Sequence, residues 1–172
     1  EGAAPGPEAM LRSMIGEGAD ERAALGLSFI QKAAAALKPE SIAAEDSLGD
    51  IGPEMIWRHY QSTSPAPKVW TEAVDQYVAA MNEMYRAHDR ADVRGRPWLR
   101  YFTKRLEFAV EYLTCLTALR AAGAAREKGD SDEQLAQLEA AIESLYNGLQ
   151  AYSEVARDPC DKGAIAVLNT YG

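Results

Sequence analysis

The chain has 172 residues, of which 47% are hydrophobic and 26% charged, and its formal net charge is −8. This length allows one domain with a substantial core, and the composition is ordinary for a globular protein. The acidic balance disfavours nucleic acid as a partner, because the chain repels the phosphate backbone. No apolar run approaches the roughly 18 residues that a membrane helix requires, so we expect no membrane span.

Four segments carry apolar residues at alternating steps of three and four, which is typical of long helices that pack side by side. The segments cover about 21–38, 68–90, 97–128 and 131–157. Their apolar ladders are Ala23, Leu27, Ile30, Ala34 and Leu37; Trp70, Val74, Tyr77, Met81, Met84 and His88; Leu99, Phe102, Leu106, Ala109, Leu113 and Leu116; and Leu135, Leu138, Ile142, Leu145, Leu149, Tyr152 and Ala156. No alternating β-branched run suggests a strand. We therefore predict an all-α fold, with four long helices in an up-and-down bundle and short capping helices.

Several residues mark the ends of these predicted helices. Asp20 has the side chain of an N-cap for the first long helix, and Pro39 cannot continue that helix. Gly129 supplies a stop for the third, and Ser131 with Gln134 has capping-box spacing for the fourth.

The remaining segments are shorter or irregular. They are predicted to be a flexible lead-in over 1–18 with a short helix near 8–15, an irregular connection over 39–67 with a helical piece near 53–61, and a short helix near 161–169. We expect residues 1–172 to form a single helical domain. The chain starts at Glu1 and not at Met, so we expect it to be a fragment of a longer protein. The sequence has no signal-peptide pattern, and the compartment stays open.

The two cysteines are predicted to be free thiols. If the third and fourth long helices form an antiparallel hairpin about Gly129, Cys115 faces the region of Ser144. Cys160 then lies about 16 residues further along, or roughly 24 Å away. A disulfide requires Cα atoms within about 7 Å, so we expect no bridge and a core position for Cys115.

Every catalytic or metal-binding motif that we sought is absent from the sequence. A di-metal carboxylate bundle requires E-x-x-H pairs on two helices, and the chain has none. It also lacks C-x-x-C, H-E-x-x-H, a P-loop, G-x-G-x-x-G and G-x-S-x-G. Glu107 and Glu111 lie off the apolar ladder and are expected on a solvated face. We therefore expect no catalytic residue, no metal site and no cofactor.

Two regions outside the ladders are candidate binding sites. The loop over 46–61 carries Trp57, His59 and Tyr60 beside acidic residues, and it either lines a binding surface or forms a short helix that docks Trp57 on the bundle. Residues 86–105 carry seven basic residues against two aspartates, a local charge of +5, which leaves −13 for the rest of the chain. This cluster, with Arg94, Arg96 and Arg100 at its centre, either binds an anionic partner such as a carboxylate-bearing sugar or pairs with acidic residues of the same domain.

Two stretches resemble a known family. They are RPWLRYFTKRLEFA over 96–109 and DPCDKGAIAVLNTY over 158–171. Together they resemble the helical region that follows the catalytic barrel in large, mostly uncharacterised bacterial glycoside-hydrolase-like proteins. The resemblance implies a non-catalytic helical domain of a secreted or periplasmic carbohydrate-active protein, whose catalytic carboxylates would lie in a barrel outside this chain.

These observations predict a structural or interaction domain without catalysis of its own. Its partner would be a neighbouring domain of the same protein or another protein. The alternative is a ligand-binding module that grips a saccharide or an anionic ligand through the 46–61 loop and the 86–105 basic cluster. A stand-alone cytosolic enzyme is the third and least supported reading.

Overall fold

A computed structural model describes residues 6–38 and 53–171 of the chain. Within these residues the chain forms seven helices and no strand, which confirms the all-α prediction. The helices are α1 (Pro7–Ile15), α2 (Asp20–Leu37), α3 (Pro53–Gln61), α4 (Lys68–Arg90), α5 (Arg96–Lys128), α6 (Ser131–Ser153) and α7 (Pro159–Tyr171). Of the predicted lead-in, the described part from Gly6 onward contains α1; of the irregular connection, 39–52 lies outside the described residues.

The four long helices α2, α4, α5 and α6 run up and down, each antiparallel to the one before it. Contacts show the direction, because positions near the end of α4 meet the start of α2, as in the ion pair between Arg22 and Glu83. Likewise, Lys104 near the start of α5 meets Glu154 just after α6. The helices pack in chain order, so α4 and α5 are the inner pair while α2 and α6 are the outer pair. Along its length α6 is therefore covered mainly by α5.

Three of the four predicted ladders form the core, and the fourth does so only in part. In α2, α4 and α5 every ladder residue is buried or half-buried. In α6, Leu145 and Tyr152 are buried but Leu135 and Ile142 are exposed. The prediction for α6 was wrong at these positions because α6 is an outer helix with one long neighbour, α5.

Two predicted helix caps are wrong by one position. Helix α2 begins at Asp20 itself, whose carboxylate accepts hydrogen bonds from Gly18 N–H and from Nε of Arg12. Helix α6 is capped by Asp130, whose carboxylate accepts a 3.1 Å hydrogen bond from the N–H of Glu133. The predicted stop at Gly129 is confirmed, with φ at +73°. After the left-handed conformation of Gly129, the Asp130 carboxylate, and not the Ser131 hydroxyl, accepts the hydrogen bond from the first turn of α6.

A small polar network holds α7 against the end of the bundle. The fourth long helix ends at Ser153, earlier than predicted, and Asp158 accepts N–H hydrogen bonds from Cys160 and Asp161 at the start of α7. The carboxylate of Asp161 is buried and accepts hydrogen bonds from the hydroxyls of Tyr152 and Tyr101. These bonds tie α7 to both α5 and α6.

Both cysteines are free thiols, as predicted. Cys115 is buried in the core, and burial raises the pKa of its thiol to about 12. Cys160 is exposed at the start of α7. A buried thiol with a raised pKa is a poor nucleophile at neutral pH, which agrees with a packing role for Cys115.

Candidate functional site

The three aromatic candidates on α3 lie in three different environments. His59 is buried, Tyr60 is half-buried, and 55% of the surface of Trp57 is exposed. Positions 57 and 59 lie about 200° apart around a helix, so they cannot share a face. The interpretation that Trp57 docks α3 on the bundle is therefore wrong, because His59 and Tyr60 make that contact.

His59 is held by groups from α4 and α5. Nε of Arg120 donates a 3.3 Å hydrogen bond to Nδ1 of His59, and the guanidinium lies 4.8 Å from the centre of the Trp70 ring. The His59 and Trp70 rings meet edge to face, with centroids 5.3 Å apart. Burial, together with the charges of Arg120 and Arg58, lowers the pKa of His59 to about 4. His59 is therefore neutral at pH 7 and serves to pack α3 on the bundle.

Tyr60 joins α3 to the start of α6. Its hydroxyl accepts a 2.9 Å hydrogen bond from Nε2 of Gln134, and the Arg126 guanidinium lies 4.5 Å from the centre of its ring. The Trp57 ring is 5.4 Å from the Tyr60 ring. Gln134 was predicted to complete a capping box, but its side chain makes this contact instead. Trp57 therefore lies exposed beside Tyr60, and Tyr60 is the residue that contacts the first turn of α6.

Arg94, Arg96 and Arg100 lie together where α4 turns into α5. Arg94 is exposed, Nε of Arg96 donates to the Ala91 carbonyl over 3.1 Å, and a guanidinium nitrogen of Arg100 lies 3.4 Å from a carboxylate oxygen of Glu154. Elsewhere in the basic cluster, Arg86 pairs with Glu83 and Lys104 with Glu107. Pairing with acidic residues of the same domain is thus confirmed for part of the cluster. Arg90 and Arg94 form no ion pair within the described residues.

A cleft of about 300 Å³ opens at this turn. It is lined by Tyr85, His88, Arg100, Thr103 and Lys104. Nζ of Lys104 is 2.9 Å from a carboxylate oxygen of Glu107 and 3.4 Å from one of Glu154. Burial alone would lower the pKa of Lys104, but the hydrogen bond and charge of Glu107 raise it, so Lys104 stays protonated. The cleft thus offers two cations, an aromatic ring and a hydroxyl.

The two sets of candidate residues do not form one site. The α3 aromatics contact α5 near Arg120 and Arg126, whereas the cleft contains Arg100. Twenty helical residues separate Arg100 from Arg120, which corresponds to about 30 Å along the axis of α5. A single ligand of ordinary size cannot span both sets. The part of the candidate loop over 46–52 lies outside the described residues.

The sequence did not predict the exposed apolar surface of α6, because it assigned Leu135 and Ile142 to the core. Leu135 is 58% exposed, Ile142 67% and Tyr146 65%. Their spacing of seven and four places them on one stripe of the helix. Leu138 and Leu149 are half-buried beside this stripe and contact the core. We call Leu135, Ile142 and Tyr146 the outer face of α6. The sequence signal for this surface was Tyr146, an aromatic residue outside the predicted apolar ladder of α6.

The pair Glu107 and Glu111 does not lie on a fully solvated face. Both side chains are half-buried, and Glu111 lies near Ser144 of α6. Burial raises the pKa of Glu111, and the charge of Glu107 adds to the rise, while a hydrogen bond with Ser144 opposes it. Across the residues described, no group of three or more His, Cys, Asp or Glu side chains could hold a metal ion. This pair is part of the contact between α5 and α6.

The two stretches that carry the family resemblance touch each other. The Tyr101 hydroxyl, from 96–109, donates a 3.1 Å hydrogen bond to Asp161, from 158–171.

None of the described helices is long and apolar enough to cross a membrane. Comparisons of the chain with protein-family models, with curated proteins and with solved structures give no match.

Proposed function

We propose that this chain is a non-catalytic helical interaction domain that binds its partner through the outer face of α6. The observation that carries the proposal is the exposure of Leu135, Ile142 and Tyr146 on one stripe of an outer helix. Contiguous exposed apolar side chains rimmed by polar residues are typical of interaction sites. The absence of catalytic motifs from the sequence supports a role in binding over one in chemistry.

The family resemblance supports a setting for this domain. It favours an accessory role beside a glycoside-hydrolase-like catalytic domain of a bacterial protein, secreted or periplasmic. In that setting the partner is a neighbouring domain of the same protein or a protein bound to it. The resemblance carries no catalytic residue into this chain, so we assign none.

Site-specific photo-cross-linking tests the proposal. A photoreactive amino acid replaces Ile142 in one variant and Val93, which is 81% exposed between α4 and α5, in the control. We expect the photoreactive residue at position 142 to form one discrete cross-linked adduct with the partner, which mass spectrometry identifies. This adduct should disappear when Leu135→Ser is added. Position 93 should give no such adduct. The same adduct from both positions, or turnover of oligosaccharides by the purified chain at enzyme-like rates, would contradict the proposal.

A second candidate function is binding of an anionic ligand, such as a uronic-acid sugar, in the cleft beside Arg100. The observation that favours it is the pairing of two cations, Arg100 and Lys104, with the Tyr85 ring in one cleft. Arginine binds carboxylates in two-point geometry, and aromatic rings pack against sugar faces.

Calorimetry with uronic-acid and neutral oligosaccharides separates this candidate from the first. Binding of the acidic sugars alone, weakened by Arg100→Ala, is the expected result. Arg94→Ala is the matched control, because Arg94 lies at the same turn but does not line the cleft. No heat with any sugar, from a chain shown to be folded by circular dichroism, would reject this second function.

A further inference from the structure

We propose that the partner of the α6 outer face is a cationic amphipathic helix, with apolar residues on one face and Lys or Arg beside them. This inference rests on the proposed function and names the chemistry of its partner. It follows from two features of α6 that occur side by side: an apolar stripe without a covering element among the described residues, and a row of carboxylates along its edge.

The apolar stripe has the dimensions of a helix-docking surface. From Leu135 to Tyr146 it extends over about three turns, or roughly 16 Å. Leu138 and Leu149 lie beside it, half-buried, and join it to the core. Their positions continue the same three-and-four spacing that a docked helix would match with its own stripe. A surface of this length and spacing fits a helix packed along α6.

The charge on α6 determines which helix fits. The helix contains Asp132, Glu133, Glu139 and Glu143 and no Lys or Arg. Asp132, Glu139 and Glu143 are spaced seven and four apart, so they form a row about 60° around the helix from the apolar stripe. All three are exposed, and none forms an ion pair with a described residue. A partner with basic residues beside its apolar face would pair with this row.

The same charge argues against a second copy of this chain as the occupant. Two α6 helices packed on each other would bring together two acidic surfaces without a cation from either helix, which is unfavourable at ordinary salt.

The test uses the whole chain and designed fluorescein-labelled peptides of about five turns. The first peptide has Leu on one face and Lys on both flanks, the second has Glu in place of Lys, and the third is a scrambled form of the first. Fluorescence anisotropy should show binding of the Leu/Lys peptide alone, weaker at high salt. Ile142→Ser should reduce its affinity about tenfold or more, and Val93→Ser should leave it unchanged. Glu139→Lys with Glu143→Lys should reverse the preference toward the Leu/Glu peptide.

The alternative results separate the two proposals. Equal binding of the scrambled peptide, or binding unaffected by Ile142→Ser, overturns the α6 assignment. Preference of the unchanged chain for the Leu/Glu peptide overturns the cationic partner but keeps an interaction surface. Concentration-dependent dimerisation in the ultracentrifuge, abolished by Ile142→Ser, identifies a second copy as the occupant. A monomer that binds no amphipathic peptide contradicts the proposed function as well.

Discussion

Arg120 of α5 donates a hydrogen bond from Nε to Nδ1 of His59 in α3 over 3.3 Å, and this contact fixes the protonation state of a buried imidazole. The acceptor nitrogen must be unprotonated, so the neutral ring carries its proton on Nε2. Protonation of His59 would place a second cation against Arg120 in a buried site. The junction of α3, α4 and α5 is therefore sensitive to acid.

The first prediction is a loss of stability between pH 6.5 and 4. The pKa of His59 is lowered from 6.5 to about 4 by burial and by Arg120 and Arg58. In this window the unfolded chain binds a proton that the folded chain does not, so stability falls as the pH falls. The loss should reach about 3 kcal/mol by pH 4. Urea unfolding at several pH values measures it, and His59→Asn should flatten this part of the profile. A His59 imidazole that titrates near pH 6.5 in NMR spectra would contradict the prediction.

The second prediction contrasts two leucines that the sequence placed on equivalent ladders. Leu106→Ala should lower the free energy of unfolding by about 2–5 kcal/mol, because the side chain is buried in α5 and its removal leaves a cavity. Leu135→Ala should change it by less than about 0.5 kcal/mol, because this side chain is exposed. Leu145→Ala, on the buried side of α6, should resemble Leu106→Ala. Equal urea midpoints for the variants of Leu106 and Leu135 would show that the burial of α6 is assigned wrongly.

The third prediction concerns the close approach of α3 to α5 at Gly123. A Cβ atom at this position would lie 2.4 Å from the carbonyl oxygen of Ser62 and 2.5 Å from that of Tyr60. Gly123→Ala must therefore displace α3 and should destabilise the protein by more than about 1 kcal/mol. Gly163→Ala in α7 is the matched control, since a Cβ there meets nothing within 4 Å. Alanine should stabilise that helix by roughly 0.5–1 kcal/mol. Thermal unfolding distinguishes the opposite signs.

The fourth prediction concerns the buried carboxylate that holds α7. Burial would raise the pKa of Asp161, but hydrogen bonds from the Tyr152 hydroxyl, the Arg157 N–H and the Tyr101 hydroxyl outweigh it and lower the pKa below 3.8. The stabilisation is present above that pH and is lost as the pH falls through the lower, folded value. Asp161→Asn and Tyr152→Phe should each cost about 1–3 kcal/mol at pH 7.

A double-mutant cycle gives the control for this fourth prediction. The two substitutions should be less than additive, because Tyr152→Phe removes the hydrogen bond that Asp161→Asn weakens by taking away the carboxylate charge. Asp132→Asn, on the exposed row of α6, should change stability by less than about 0.5 kcal/mol. Full additivity of Asp161→Asn and Tyr152→Phe would show that the two side chains do not share a bond in solution.

Local patterns predicted the helices closely, because each pattern depends on neighbours along the chain. The second long helix spans 68–90 as predicted, and the third begins one residue early, at Arg96. The fourth was predicted to reach 157 but ends at Ser153. The reason is that Asp158 caps α7, so the chain must turn before that residue. The starts of α6 and α7 thus depended on which nearby polar side chain accepts hydrogen bonds from the free N–H groups of the first turn.

The candidate site residues were harder to predict, because side-chain exposure depends on which helices are neighbours. Trp57 and His59 are two positions apart and lie on different faces of α3. Because α3 packs on the bundle through the face that carries His59, His59 is buried and Trp57 is exposed. The basic residues and the α3 aromatics were assigned to one ligand, yet the length of α5 between Arg100 and Arg120 keeps them apart. Leu135 and Ile142 of the α6 outer face were predicted to lie in the core, whereas both are exposed.

The sequence predicted the fold class, the number of long helices and their up-and-down order, because helical periodicity and short connections are local properties. It also determined the acidic, cation-free composition of α6. The sequence did not show that α6 has one long neighbour. That arrangement makes Ile142 face outward while Leu145 faces the core, and it depends on how the helices assemble. Burial is a property of the assembled helices, since an apolar stripe is core only where another helix covers it.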